Sequence, residues 1–153
     1  MIASRTCRPV TPQDVSFHEL AQEARSEGHH FIDRLLGQWA DGSNRFDQTG
    51  ECLLGRFENE LLVAVGGLNR DPYTRDQGTG RIRHLYVRLL WRRTGFATEL
   101  MRELLLRGGP VFERIHLRTD NPAAIRLYAA LDFSPTNKRH ATHVWLCPKC
   151  EGR

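Results

Sequence analysis

Lysine is almost missing from this chain. Of 22 basic residues only Lys138 and Lys149 are lysines, so 20 are arginines, set against 18 acidic residues. A net charge of +4 and a pI near 9.2 permit contact with nucleic acid or another polyanion. The arginines are spread along the chain, however, and no basic stretch is interleaved with aromatics. A nucleic-acid-binding domain therefore ranks last among the functions weighed. Long apolar runs are missing too: none approaches the ~20 residues that span a bilayer, and mean hydropathy is −0.49. Residues 1–10 lack the apolar stretch of a secretory leader. A soluble, cytoplasmic protein with no membrane partner is expected. Cysteine is scarce, four in all, and Cys147 and Cys150 form a single Cys-x-x-Cys. One such pair supplies two ligands where zinc needs about four. No metal is expected, and the simplest reading is reduced thiols on a short C-terminal tail, 147–153. The common phosphate loops are absent as well. No run has two spaced glycines followed by Lys and Ser or Thr, and none has the three glycines of a dinucleotide fingerprint.

What is present is a different phosphate corner. The apolar segment His84-Leu85-Tyr86-Val87 reads as the end of a strand, and Arg92-Arg93-Thr94-Gly95-Phe96-Ala97 follows it directly. A helix-patterned run then extends from Ala97 to Leu106. A turn that opens a helix leaves several N–H groups without intrahelical partners, and the helix dipole adds partial positive charge there. Gly95 and Ala97 are small enough to let a phosphate reach the backbone, and Arg92 and Arg93 add charge. Alone, the motif fits an ordinary basic helix start equally well.

A second strand–turn–helix unit follows. Ile115 to Thr119 alternates as a strand does, Asp120 or Asn121 can cap a helix, and Pro122 suits its first turn. Ala124, Leu127, Tyr128 and Leu131 then share one helical face. The rest of the chain, 153 residues and one domain by length, divides as follows. Thr6 to Val10 is a strand. Helices are expected from Val15 to about Gly28 and from His29 to Ala40. Strands at Glu51 to Phe57 and Leu61 to Leu68 form a hairpin. Arg70 to Gly80 is a long polar loop, Arg81 to Val87 a strand, and Arg139 to Leu146 the last strand. The order is mixed α/β, one sheet covered by helices.

Together the two units resemble the acetyl-CoA-binding motifs of the GNAT N-acetyltransferase superfamily. The pattern is a strand ending in Val, Arg-x-x-Gly-x-Ala opening a helix, then Asn, Tyr seven residues later, and Phe. Val87, Arg92, Gly95, Ala97, Asn121, Tyr128 and Phe133 stand in that order and spacing. Asp132 replaces the usual Gly before the Phe, at a helix end where Asp tolerates unusual backbone angles. The resemblance implies a mixed central sheet of about seven strands, splayed in the middle and flanked by about four helices. It implies acetyl-CoA as cofactor and a primary amine of a small molecule, amino acid or peptide as acceptor; a homodimer is left open. It assigns the backbone of Arg93, Thr94, Gly95, Phe96, Ala97 and Thr98 to the pyrophosphate, with Arg92 beside it. The backbone of Leu85, Tyr86 and Val87 falls to the pantetheine amides, and Asn121 to the cofactor arm.

The same resemblance makes Tyr128 the acid that protonates the CoA thiolate; periodicity alone makes it a core aromatic. The base has three candidates. The position where some members carry Glu, six residues before the Val, is Arg81, which cannot accept a proton. The position where the ribosomal-protein alanine acetyltransferases carry Glu, five before the Asn, is His116, and an imidazole titrates near neutral pH. His84 is a rival, although strand alternation puts it on the face opposite Arg81, Arg83 and Leu85. A water relay is the third. Arg81 and Arg83 share a face beside the cleft and are expected to bind an acidic group on the acceptor. The competing reading of the same fold is a CoA-binding sensor or partner-binding module without chemistry.

Overall fold

The computed structural model describes residues 6–148. Its strands are β1 (Thr6–Pro9), β2 (Cys52–Glu58), β3 (Leu61–Arg70), β4 (Thr79–Val87), β5 (Arg114–Leu117), β6 (Ser134–Pro135) and β7 (His143–Leu146). Its helices are α1 (Val15–Ser26), α2 (Phe31–Asp41), α3 (Phe96–Gly108) and α4 (Pro122–Ala130), with a short 3-10 turn at Leu89–Trp91. The seven strands form one sheet in the order β1-β2-β3-β4-β5-β7-β6. Every neighbouring pair is antiparallel except β4 and β5.

Helices cover both faces, and strand alternation sorts the apolar residues between them. Phe17, Leu20, Ala24, Ile32 and Leu35 of α1 and α2 pack on Leu53, Val65 and Tyr86. Leu100, Met101 and Leu104 of α3, with Tyr128 and Leu131, pack on Leu54, Ala64, Leu68 and Ile115. β3 lies between the two layers and is buried over eight consecutive residues, which is why Leu62 to Leu68 reads as one apolar and glycine run.

Two irregularities shape the middle of the sheet. β4 and β5 pair only from Thr79↔Arg114 to Arg81↔His116. β4 then runs on to Val87 with its far edge still on β3 and nothing from β5 on the near edge. This is the expected splay. The second is a bulge. Val65 faces Tyr86 but Gly67 faces Arg83, so an extra β4 residue is accommodated, and His84 takes φ 61°. The bulge overturns the alternation expected for β4. His84 lies on Phe31 of α2, ring centroids 6.0 Å apart, and lines the same cleft as Arg81, Arg83 and Leu85.

The last strand is shorter than expected. The chain turns at Lys138 to Ala141, and pairing with β5 begins only at His143. Cys147, expected on a tail, is buried: its N–H bonds the Glu113 carbonyl and its thiol lies 3.4 Å from the Gly109 carbonyl. Cys150 lies outside the described residues. No helix among the described residues is long and apolar enough to cross a membrane.

Candidate active site

The corner between β4 and α3 is built from two left-handed residues. Arg93 has φ 62° and Gly95, the N-cap of α3, has φ 88° with no side-chain cap. Phe96, Ala97 and Thr98 occupy the first turn, whose N–H groups have no intrahelical carbonyl. No side chain crowds Gly95: an added Cβ would meet nothing within 4 Å. A groove of about 580 Å³ opens here. Leu85, Tyr86, Val87, Arg92, Arg93, Gly95, Phe96, Ala97, Thr98 and Asn121 all line it. Thr94 does not; its hydroxyl donates to the Trp91 carbonyl.

The two arginines of the corner differ. Arg92 bonds Glu27, the C-cap of α1, through both terminal nitrogens, at 3.0 and 2.5 Å, and the Val87 carbonyl at 2.9 Å through Nε. The Glu27 hydrogen bond holds the guanidinium above its usual range and the carboxyl below its own. Arg92 is therefore an internal brace tying the corner to α1, and Arg93 carries the charge left facing outward. Tyr86 is similarly committed: its hydroxyl donates to Glu27 and lies 3.2 Å from Glu23. Burial leads in raising its pKa, followed by the hydrogen bond to Glu27.

A second cavity of about 510 Å³ adjoins the first. The two share His29, Phe31, Leu85, Asn121 and Ala124, so one continuous cleft crosses the splay. α4 starts at its rim. Asn121 caps that helix by accepting from the Ala123 N–H at 3.0 Å, and Pro122 occupies the first turn. Seven residues on, two helical turns deeper, Tyr128 lines the second cavity. It is 6 % exposed, packs on Phe133 at 5.6 Å, and burial alone pushes its hydroxyl up to about 12. No side chain or backbone group among the described residues hydrogen-bonds that hydroxyl.

His116 stands apart from this cleft. It lines neither cavity, and its Nδ1 lies 2.9 Å from the Asp71 carboxylate. Asp71 is 3 % exposed and also faces Arg81 at 3.8 Å. Arg81 donates to the His140 carbonyl at 2.6 Å, and its guanidinium lies over the Tyr73 ring. The set braces the 71–78 loop against the last strands. Of the two histidines singled out from the sequence, the one that does line the cleft is His84, beside His29 at the junction of the two cavities. Both its ring nitrogens are buried without a partner, and desolvation, followed by the charge of Arg83, lowers its pKa to about 3.

Arg83 is half-buried in the cleft, with no hydrogen bond or ion pair among the described residues. Arg34 of α2 and Arg118 after β5 line the same cavity. Neither was legible beforehand. Arg34 looks like any polar-face arginine of an amphipathic helix, and only packing of α2 over β4 brings it here.

Solved structures share this architecture. An Exiguobacterium sp. 255-15 protein assigned as an acetyltransferase superposes with a TM-score of 0.81 at 23% identity, covering 97% of this chain and 98% of its own. YncA of Salmonella typhimurium, solved with its cofactor acetyl-CoA, gives 0.70 at 15% identity, covering 95% of each chain. Arabidopsis thaliana NAA60, in complex with a bisubstrate analogue, gives 0.68 at 16%, covering 94% and 98%. No curated protein matches the chain. The fold is thus the one used by acetyl-CoA-dependent acetyltransferases. The model of the acetyltransferase (GNAT) family matches residues 15–133, and the chain belongs to that family. It is an acyltransferase with acetyl-CoA as its donor. The site fits that cofactor. An uncrowded left-handed glycine begins a helix beside Arg93, which has no partner among the described residues, and the open edge of β4 leads from there into the cleft.

Proposed function

We propose that this enzyme transfers the acetyl group to a primary amine of a small molecule, amino acid or peptide, by direct attack and with Tyr128 as the acid. Acetyl-CoA, when bound, supplies an activated acetyl thioester and carries off the thiolate. The N–H groups of Arg93 to Thr98 hold its pyrophosphate, with Arg93 as the nearby charge. The free edge of Leu85 to Val87 pairs with the amides of its arm, and Asn121 meets that arm at the junction. One observation carries the reading: the two cavities meet at Leu85, Asn121 and Ala124, and Tyr128 lines the far one from a buried position. A hydroxyl with its pKa near 12 is in its donor form at neutral pH, ready to hydrogen-bond a leaving thiolate as its charge develops. No cysteine lines either cavity, which favours direct attack over an acyl-enzyme.

The amine must lose its proton before it attacks. His116 is turned to Asp71, and His84 is too weak a base at a pKa near 3. Of the three bases weighed from the sequence this leaves water in the cleft, and His116 holds the loop in place. Thiol release measured with an amine panel tests this reading. Tyr128→Phe, which keeps the packing, should lower kcat by about 10²–10⁴. His116→Gln should stay within tenfold of wild type. An undiminished rate in Tyr128→Phe sinks the acid assignment. A loss in His116→Gln as large as that in Tyr128→Phe sinks the water route.

A further inference from the structure

The acceptor end of the cleft has far more positive charge than its own structure balances. Arg34, Arg81, Arg83 and Arg118 line it, and Asp120 is the one carboxylate among its lining residues. The four arginines are not equivalent. Arg81 has two partners: one terminal nitrogen donates to the His140 carbonyl, and the other, which has no hydrogen bond among the described residues, faces Asp71 at 3.8 Å. Arg118 has a single long contact, 3.4 Å to the Arg139 carbonyl. Arg83 has no partner among the described residues although it is half-buried. Burial, and after it the charges of Arg81 and Arg34, hold its guanidinium below the usual arginine range. Cations gathered in a partly desolvated cleft are costly unless something anionic completes the site. The pyrophosphate cradle does not use them, because none of the four lines the groove at α3. The other wall is Phe31 and His84, flat and without a charge at neutral pH.

Resting on the amine-acetylation reading, we infer that the acceptor also carries an oxyanion, a carboxylate or a phosphate, and that Arg83, flanked by Arg34 and Arg118, holds it. A guanidinium fork takes two oxygens of such a group at once, and this orients the amine as well as binding it. Phe31 and the His84 ring face the carbon skeleton between the two ends. Arg81, which shares the strand with Arg83, serves as a brace for Asp71. A cavity of about 510 Å³ is of small-ligand size.

The test compares matched acceptors. Glycine, β-alanine, aspartate and glutamate are set against their carboxamides, O-phosphoethanolamine against ethanolamine, and spermidine serves as a polycation. Acidic acceptors should exceed their neutral partners at least tenfold in kcat/KM. The carboxylate and phosphate arms show which oxyanion is preferred. Arg83→Gln should raise KM for the preferred acceptor ten- to a hundredfold, with a smaller effect on kcat and none on acetyl-CoA affinity. Arg34→Gln, an exposed helix substitution, gives a smaller loss of the same kind if Arg83→Gln misfolds. Equal use of acids and amides, or a preference for spermidine, overturns the inference. So does a KM that Arg83→Gln changes alike for both members of a pair. Calorimetry separates its failure from that of the catalytic reading. N-acetylglycine, N-acetylaspartate and N-acetylglutamate are titrated into the CoA-loaded protein beside their carboxamides. Binding of the acids alone, lost in Arg83→Gln, upholds the anion site even if no acceptor turns over. Binding of neither set, together with no turnover, overturns it.

Discussion

At the scale of single residues, two buried side chains acquire opposite protonation behaviour from one cause. Desolvation disfavours the charged form, so it raises Tyr128 to about 12 and lowers His84 to about 3. For Tyr128 the acid form persists far above neutrality, so kcat should show no descending limb below about pH 11. For His84 the consequence is a stability dependence. Its folded pKa lies below the ordinary 6.5, so as pH falls the unfolded chain takes up a proton that the folded chain refuses. Stability is full above pH 6.5 and is lost progressively as pH falls toward 3. The slope is at most about 1.4 kcal/mol per pH unit. Between pH 7 and pH 5 the loss is about 1–2 kcal/mol, in a range above most carboxylate titrations. Urea unfolding of wild type and His84→Gln at both pH values measures it. The variant should have the flatter pH dependence, and equal slopes sink the assignment. Of the candidate bases, neither His116 nor His84 could be placed from spacing. The first is claimed by Asp71, 45 positions away in sequence, and the second is turned by a bulge that no local pattern announces.

At the scale of elements, most helices and strands were legible because their apolar periods are clean. The two strand–helix corners were legible because small and capping residues mark them. Asp132 is one instance: it takes φ 69° where the helix α4 ends, the left-handed geometry for which the family uses Gly. At the corner before α3 the proposed cofactor contact rests on backbone conformation. Gly95 has φ 88° and free space around it. A Val there would have no clash to resolve but would be strained by about 1–2 kcal/mol. It would also cover the N–H groups proposed to hold the pyrophosphate. Gly95→Val should therefore weaken acetyl-CoA binding by at least about tenfold, near 1.4 kcal/mol, read by calorimetry with circular dichroism as the folding control. Unchanged affinity would show that the corner is not the phosphate site. Arg92 looked like part of that cradle, yet it bonds Glu27. A sequence pattern can mark where an arginine stands without showing which carboxylate the folded chain brings to it.

At the scale of the whole molecule, the fold is one sheet that loses a ladder at its centre. β4 and β5 stay paired for three residue pairs and then part, and helices close the two faces over separate apolar layers. A ligand seated in that gap binds only the folded state, so it must stabilise it. At a hundredfold excess over Kd, acetyl-CoA should add about 2.7 kcal/mol. For a chain of this size that is a rise in Tm of roughly 5–11 °C, readable by differential scanning fluorimetry. No shift at millimolar acetyl-CoA would mean that the gap is not a binding site. The sequence alone determined the order of elements, the splayed α/β class and the position of the glycine turn that opens α3. Each of these rests on local periods, capping residues and short spacings, which act between neighbours in the chain. Tertiary structure decided the second cavity, the one proposed to take the acceptor. Arg34, Arg83, Arg118, Phe31 and His84 come from a helix, a bulged strand and the end of another strand. Only the packing of α2 over β4 and the parting of β4 from β5 bring them around one cavity, because long-range burial, and not any spacing in sequence, sets which side chains share a space.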